Sequence, residues 1–357
     1  MIEFKQVSKS FGQTVAADGI DIAFADGEIS VLIGPSGCGK TTLMKMINRL
    51  VDPDSGDIQI DGKSVLSLDP VHLRRSIGYA IQEVGLFPHY SIFDNIALVP
   101  RLLKWPSTRV KARVMELLDL VTLDESYADR YPAQLSGGER QRVGLARSLA
   151  ADPGILLMDE PFGAIDPINR STIHNTFLSI QEELKKTIVF VTHDMSEAVK
   201  LGDRVAILKE GQILQFDTPE QILSNPESDF VADLLGKDRR IQILSLKRNS
   251  EYASMEDVVT VSPDEDSSAV GLALERAGQA IAFVIGSDGK LQSRFYLDGN
   301  RVKFDDRPLH LDRKMDLRET LSVMLETGER MLPVTGKQRA FLGVIRLERL
   351  VEEVARL

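Results

Sequence analysis

The feature that most constrains this chain is a glycine-rich loop between an apolar strand and a helix with an apolar face. The loop reads Gly34-Pro35-Ser36-Gly37-Cys38-Gly39-Lys40-Thr41-Thr42 and matches G-x-x-x-x-G-K-[ST]. The run before it, residues 29–33, has the composition of a buried parallel strand, and apolar residues recur at helical spacing after Lys40. Free N–H groups and the helix dipole favour an anion there. The sequence therefore predicts a P-loop that binds a nucleoside triphosphate, with Lys40 on the phosphates and Thr41 on Mg²⁺.

Length and composition indicate a globular protein of two or three domains, since the chain has 357 residues and 43% hydrophobic residues. No apolar run is long enough to span a bilayer, and the sequence begins as a strand without a signal peptide. The single cysteine, Cys38, excludes an intrachain disulfide and suits a reducing cytoplasm. The net charge of −10 lies in residues 1–236, because residues 237–357 carry 20 basic and 20 acidic residues. This acidic body argues against a non-specific nucleic-acid binder.

The hydrophobic pattern predicts a strand-rich start, an α/β core and a helical insertion. Period-two alternation or short apolar runs predict strands, and residues 91–150 have mostly helical periodicity, with breaks expected at Pro100, Pro106 and Pro132. The predicted strands are residues 2–7, 20–24, 29–33, 58–62, 77–81, 155–158, 188–191, 205–208 and 212–215.

Two further motifs carry chemistry. An apolar strand ends in the paired carboxylates Asp159 and Glu160, which suit Mg²⁺ binding and the polarisation of an attacking water, respectively. Upstream, Ser136, Gly137 and Gly138 open a second helix with bare N–H groups, which predicts a second anion-binding helix start.

These motifs, in this order, resemble those of ABC-type ATPases over residues 1 to about 236. Leu-Ser-Gly-Gly before a Gln/Arg-rich helix is similar to the family signature, although Glu139 stands where the family usually has Gln. The resemblance implies that Phe11 stacks on adenine and that His193 contacts the γ-phosphate. Taken singly, Phe11 also suits a core and His193 an ordinary loop. It further implies that Gln82 contacts Mg²⁺ and water and communicates with a membrane partner, and that Asp166 belongs to the loop after the paired acids.

The resemblance implies a homodimer in which the signature of one copy closes over the ATP bound by the P-loop of the other. Residues 83–89, 95–96 and 99–106, and residues 44–50 after the P-loop, resemble importers of glycine betaine and related quaternary amines. Integral membrane permease subunits, an indirect substrate-binding protein and a position on the cytoplasmic face of the membrane are then expected. The alternatives are an importer of another small solute such as an amino acid, a soluble ABC ATPase of translation or repair, and a ligand sensor with a vestigial ATPase.

The C-terminal part carries a weak repeat with an offset of fifty residues, in which a helical apolar stripe precedes a strand. Asp266 and Gly278 align with Asp316 and Gly328. The repeat resembles a tandem CBS pair, but Arg346 and Arg349 replace the usual ribose-binding residues. The alternatives are an anionic ligand, a response to ionic strength and a purely dimerising role. The predicted fold is an α/β ABC ATPase domain with an antiparallel β subdomain and a helical subdomain (residues 1–236). A basic linker (237–250) and a small α+β tandem CBS module (251–357) follow.

Overall fold

The computed structural model describes residues 1–81, 85–163, 167–236, 238–299 and 301–356. The chain divides into two compact units, Met1–Gly236 and Lys237–Leu357. Each unit has a hydrophobic core of its own. Among the helices of the described residues, none combines the length and the apolar character needed to cross a bilayer.

The first unit contains two sheets and the helices that cover them. In chain order its elements are β1 (Ile2–Phe11), β2 (Thr14–Phe24), β3 (Ile29–Ile33), α1 (Lys40–Ile47), β4 (Ser55–Ile60), β5 (Lys63–Ser64), α2 (Pro70–Ser76), β6 (Ile77–Ala80), α3 (Ile92–Leu102), α4 (Ser107–Leu120), α5 (Gly137–Leu149), β7 (Ile155–Asp159), α6 (Pro167–Leu184), β8 (Thr187–Val191), α7 (Met195–Leu201), β9 (Arg204–Lys209), β10 (Gln212–Asp217), α8 (Pro219–Ser224) and α9 (Asp229–Leu235). Each strand predicted from the sequence is present.

The central sheet has the order β10-β9-β3-β8-β7-β6 and is parallel except for its edge strand β10. Every residue of β3 and β8 is buried, as expected for parallel strands covered on both faces. The other sheet is antiparallel with the order β2-β1-β4-β5. One core of buried side chains joins the two sheets through α1, and it includes Phe24, Leu43 and Leu157.

The predicted helical insertion is confirmed, because α3, α4 and α5 lie between β6 and β7. The break expected at Pro100 is wrong. This residue lies in the last turn of α3, which continues to Leu102, and its side chain is buried. Pro106 does precede α4 as its N-cap, and Pro132 opens a 3₁₀ turn.

The second unit is built from two similar halves. Its elements are α10 (Arg239–Ile243), α11 (Asn249–Tyr252), β11 (Val259–Val261), α12 (Ser267–Ala277), β12 (Ile281–Ile285), β13 (Leu291–Asp298), β14 (Arg301–Asp305), β15 (Leu311–Asp312), α13 (Leu317–Thr327), β16 (Met331–Thr335), β17 (Phe341–Arg346) and α14 (Leu347–Arg356). The two sheets have the orders β11-β12-β13-β14 and β15-β16-β17.

The fifty-residue repeat is confirmed by these elements, because α12 and α13, and likewise β12 and β16, are offset by that distance. Asp266 and Asp316 each accept a backbone hydrogen bond as the N-cap of their helix. Gly278 and Gly328 end these helices in the left-handed conformation. The halves pack on each other through a cluster that contains Phe283 and Val344. They differ at the end, since β14 follows the first half and α14 the second.

The linker expected at residues 237–250 is wrong for the described part, residues 238–250. This segment forms α10 and a 3₁₀ turn and leads into α11. Leu244 is fully buried in the core of the second unit together with Leu317 and Leu332. The Asn249 side chain donates to the carbonyl of Asp312, 3.0 Å away, and accepts from the hydroxyl of Thr320 at 2.7 Å. The segment therefore belongs to the second unit, because Leu244, which lies between basic residues in the sequence, packs into the core of that unit.

Candidate active site

The glycine-rich loop lies between β3 and α1, where it is pressed against neighbouring backbone. Gly39 has φ 110° and is the N-cap of α1. A Cβ atom on Gly39 would lie 2.0 Å from the carbonyl oxygen of Ala16, and one on Gly34 would lie 2.2 Å from that of Leu208. Only glycine fits such approaches. Since no side chain caps α1, the first N–H groups of the helix remain available to an anion.

Lys40 and Cys38 occupy the inside of this loop. The Lys40 ammonium donates to the carbonyls of Gly34 at 2.7 Å and Pro35 at 2.9 Å. Cys38 is buried in the core, with its sulfur 3.7 Å from that ammonium. The Cys38 side chain thus packs inward, so this residue offers its backbone to a ligand. Ser36 is exposed, and Thr41 and Thr42 are half-buried.

Thr41 and Asp159 connect the P-loop directly with the paired acids. The Thr41 hydroxyl donates to Oδ1 of Asp159 at 3.1 Å. Burial raises the pKa of the Asp159 carboxyl, the hydrogen bond from Thr41 opposes this rise, and the charge of Glu160 adds to it. Burial, with a smaller effect of Asp159, also raises the pKa of Tyr79 to about 12. A carboxylate with a disfavoured charge gains from a bound cation, so this pair fits Mg²⁺.

Glu160 and His193 meet because the neighbouring parallel strands β7 and β8 end side by side. Oε2 of Glu160 lies 3.3 Å from Nδ1 of His193. The His193 side chain is 66% exposed and that of Glu160 is 21% exposed, so both are open to a ligand. The backbone N–H of Glu160 donates to the carbonyl of Val191 at 2.9 Å, which fixes the carboxylate beside the histidine loop.

The second helix start is ordered by a capping box at the beginning of α5. The Ser136 hydroxyl accepts from the N–H of Glu139 at 3.3 Å, and Oε2 of Glu139 accepts from the N–H of Ser136 at 2.6 Å. Oε1 of Glu139 accepts from the Tyr127 hydroxyl at 2.7 Å. This last bond, with the bonds to Ser136, lowers the pKa of Glu139 to about 2. The box uses the N–H groups of Ser136 and Glu139 and leaves those of Gly137 and Gly138 for an anion.

Phe11 ends β1 and is 50% exposed, with the Lys9 ammonium 5.4 Å from its ring centroid. The interpretation of Phe11 as a core residue is therefore wrong, and a stacking role is sterically open. In the described residues, no hydrogen bond or ion pair connects Phe11 or the start of α5 with the P-loop. Gln82 and Asp166 lie outside the described residues.

Tyr127 holds Glu139 from a 3₁₀ turn twelve residues upstream, and it is not among the residues predicted from the sequence. No short motif marks this contact. The sequence does carry one indication of it, namely Glu139 at a position where the family usually has Gln. A carboxylate at the start of a helix requires hydrogen-bond donors, and Tyr127 is one of them.

Arg346 and Arg349 line a groove of about 650 Å³ in the second unit. Their guanidinium groups donate to the backbone carbonyls of Asp257 and Tyr252, at 3.0 and 3.3 Å. The other lining residues include five glutamates, namely Glu251, Glu256, Glu348, Glu352 and Glu353. The acidic lining disfavours the anionic ligand expected from the two arginines.

Comparison with known proteins identifies the family. Residues 17–163 match the family described as ABC transporter. The chain is 45% identical to the glycine betaine/carnitine/choline transport ATP-binding protein OpuCA of Bacillus subtilis, over 99% of this chain and 96% of that protein. It is 42% identical to the osmoprotectant import ATP-binding protein OsmV of Salmonella typhimurium, over 97% and 94%.

A solved structure agrees with these relatives. The dimeric structure of MJ0796, a bacterial ABC transporter cassette, superimposes with a TM-score of 0.56 at 34% identity. It covers 61% of this chain and 98% of that one. The same cassette has also been solved in a post-hydrolysis state bound to ADP and Pi. The resemblance predicted from the motifs is confirmed, and the chain belongs to the ATP-binding proteins of ABC transporters and is an ATPase.

Proposed function

We propose that this chain powers the import of glycine betaine or related quaternary amines, as a pair of identical copies beneath membrane-embedded permease subunits. The observation that carries the ATPase chemistry is one continuous series of contacts. Lys40 and Thr41 begin α1, Thr41 donates to Asp159 at 3.1 Å, and the adjacent Glu160 lies 3.3 Å from His193. Phosphate binding, metal binding and water activation are thereby supported at the carboxyl ends of the neighbouring parallel strands β3, β8 and β7.

Each residue has a proposed role. Lys40 and the loop amides bind the β- and γ-phosphates, and Glu160 orients and polarises the attacking water. His193 donates to the γ-phosphate, while Phe11 stacks on adenine. Gln82 and Asp166 are proposed to complete the site.

Thr41 and Asp159, with Gln82, would hold Mg²⁺, whose charge neutralises the phosphate oxygens when it is bound. In the described residues, no group of three or more His, Cys, Asp or Glu side chains suits a metal ion. The small donor set of Thr41, Asp159 and Gln82 fits Mg²⁺, because this ion usually keeps several waters and takes one or two protein ligands together with phosphate oxygens.

The start of α5 is proposed to cap the ATP of a second copy. Ser136, Gly137 and Gly138 would approach the γ-phosphate bound by the partner's P-loop. The free amides of Gly137 and Gly138 support this role, as does the relative whose structure is described as dimeric. A phosphate between two helix starts stabilises the closed pair, and its release after hydrolysis allows opening.

The solute class is proposed from the relatives, whose names give glycine betaine, carnitine and choline as the molecules they transport. The chain matches those proteins over nearly their whole length, in both units. Such an importer places this subunit on the cytoplasmic face of the membrane and delivers solute from a substrate-binding protein. Residues 1–236 would be the ATPase domain and the second unit a tandem CBS module. The engagement of Arg346 and Arg349 with backbone carbonyls favours a dimerising role for it.

The test is uptake by cells whose only copy of the gene encodes either the wild-type chain or Glu160→Gln. At raised osmolarity, wild-type cells should accumulate radiolabelled glycine betaine, choline or carnitine, and the variant cells should not. Sulfate uptake should be equal in both. Loss of amino-acid uptake with intact quaternary-amine uptake would reassign the solute. Equal uptake of every solute would favour a soluble ATPase.

A further inference from the structure

A buried polar network lies behind His193, among residues that the sequence motifs did not mark. Thr192, Glu197 and His174 are 2%, 5% and 4% exposed, respectively. The Thr192 hydroxyl donates to Oε2 of Glu197 at 2.6 Å. Oε1 of the same carboxylate lies 3.5 Å from Nε2 of His174. A carboxylate buried this deeply is costly unless it is partnered, so packing alone does not account for it.

The network fixes the backbone on both sides of His193. The N–H of Thr192 donates to the carbonyl of Leu32, the penultimate residue of the strand before the P-loop, at 3.2 Å. The Thr192 hydroxyl accepts from the N–H of Asp194 at 3.0 Å. The Asp194 side chain in turn accepts from the N–H of Glu197 at 3.3 Å as the N-cap of α7.

The same network reaches the segment that follows the paired acids. His174 lies on α6, and its ring packs on Phe162 with centroids 4.9 Å apart. Phe162 stands two residues after Glu160 and also packs on Phe190 of β8, at 5.7 Å. Glu197 is thus in contact with His174 of α6 and with Thr192 directly after β8.

We propose that Thr192 and Glu197 are positioning residues for His193, with the His174 ring of α6 packed beside the Glu197 carboxylate. His193 is largely exposed, so its place beside Glu160 depends on the backbone that carries it. The Thr192 hydroxyl stands directly before His193 and bonds the N–H of Asp194 directly after it, so it restrains the backbone at His193 more strongly than packing does. The inference rests on the proposed contact of His193 with the γ-phosphate.

The test compares Thr192→Val, Thr192→Ser and Thr187→Val in the full-length chain. Thr187 is a matched control. It is buried on β8, its hydroxyl bonds Gly27 N–H at 3.1 Å and Asp26 Oδ1 at 3.4 Å, and it lies at the far end of the strand. Thr192→Val should lower kcat for ATP hydrolysis about tenfold and leave the ATP Kd within about twofold. Thr192→Ser and Thr187→Val should both remain near the wild-type kcat.

A second comparison separates this inference from the role of His193 itself. His193→Ala should abolish most turnover, and adding Thr192→Val should slow the remaining single-turnover rate by less than about twofold, because residues that act as a unit are not additive. Wild-type turnover by His193→Ala would refute the proposed role of His193. Loss of turnover in His193→Ala with normal Thr192→Val would refute the positioning role alone.

Glu197→Gln provides an independent variant if Thr192→Val does not fold. Its amide oxygen can still accept from Thr192, but the bond is weaker without the charge. The expected kcat is about three- to tenfold below wild type, with unchanged ATP binding. An undiminished kcat in this variant, or an equal loss in Thr187→Val, would overturn the proposal.

Discussion

The carboxylate of Glu139 should determine how firmly the first turn of α5 is held. It accepts two hydrogen bonds, one from Ser136 N–H at 2.6 Å and one from the Tyr127 hydroxyl at 2.7 Å. A bond to a charged group contributes about 1.5–3 kcal/mol when it is buried. This carboxylate is close to solvent, and screening reduces each bond to about 0.5–1 kcal/mol. Glu139→Ala should therefore cost about 1–2 kcal/mol of local stability.

The measurement is hydrogen exchange of peptides that cover the start of α5 in the full chain. Each 1.4 kcal/mol corresponds to about a tenfold change in protection. Glu139→Ala should lower protection about 5- to 30-fold. Glu139→Gln should lower it less than about fivefold, because the amide can accept from Ser136 and donate to Tyr127. Peptides from α12 in the second unit serve as the internal control.

The pH dependence has a definite sign. The hydrogen bond from Tyr127 and those to Ser136 lower the pKa of Glu139 from 4.5 to about 2. The stabilising contribution is then complete above pH 4.5 and is lost as the pH falls toward 2. After correction for intrinsic exchange, the difference between wild type and Glu139→Ala should stay constant between about pH 5 and pH 8. Equal protection in wild type and Glu139→Ala, or equal loss in Ala and Gln, would refute this reasoning.

Three further predictions address the other parts of the chain. Glu160→Gln should keep ATP binding and lose about 10²–10⁴ in kcat, measured by phosphate release, and near-normal release would remove Glu160 from its role. Phe11→Ala should weaken ATP binding by about 1–3 kcal/mol while Phe11→Tyr changes little, and an unchanged Kd for the Ala variant would argue against stacking. Leu244→Ala should destabilise the second unit by about 2–5 kcal/mol, because Leu244 is fully buried there. Hydrogen exchange of α13 measures this, and unaltered exchange would contradict the assignment of residues 238–250 to that unit.

The sequence predicts those features that depend on local pattern. The strand before the P-loop, the paired acids at the end of β7 and the fifty-residue repeat follow from hydrophobic period and spacing. The helical character of the insertion also follows from the pattern, but the end of α3 does not. Pro100 is tolerated in the last turn of this helix, because few further backbone hydrogen bonds depend on its missing N–H.

Contacts between distant residues could not be predicted in this way. Tyr127 contacts Glu139, and His174 contacts Glu197, only after the chain segments that carry these residues have packed together. Leu244 illustrates the same limit for domain boundaries. Its neighbours are basic, so local composition indicates a linker, while its burial depends on leucines more than sixty residues away. Pattern identifies elements, whereas tertiary packing decides which polar and apolar groups become partners.

The close approach of Gly39 to Ala16 has a consequence for how the chain distinguishes its nucleotide. Ala16 belongs to β2, which forms a hairpin with β1, and Phe11 pairs with Thr14 where that hairpin turns. The hairpin that carries the proposed stacking ring of Phe11 therefore contacts the phosphate-binding loop directly, backbone against backbone, and no side chains lie between Gly39 and Ala16. The span from base to phosphates is set by backbone geometry. A nucleotide with a different base would still place its phosphates in the P-loop. A ligand with a longer or shorter phosphate chain would not reach the Phe11 ring and the P-loop at the same time.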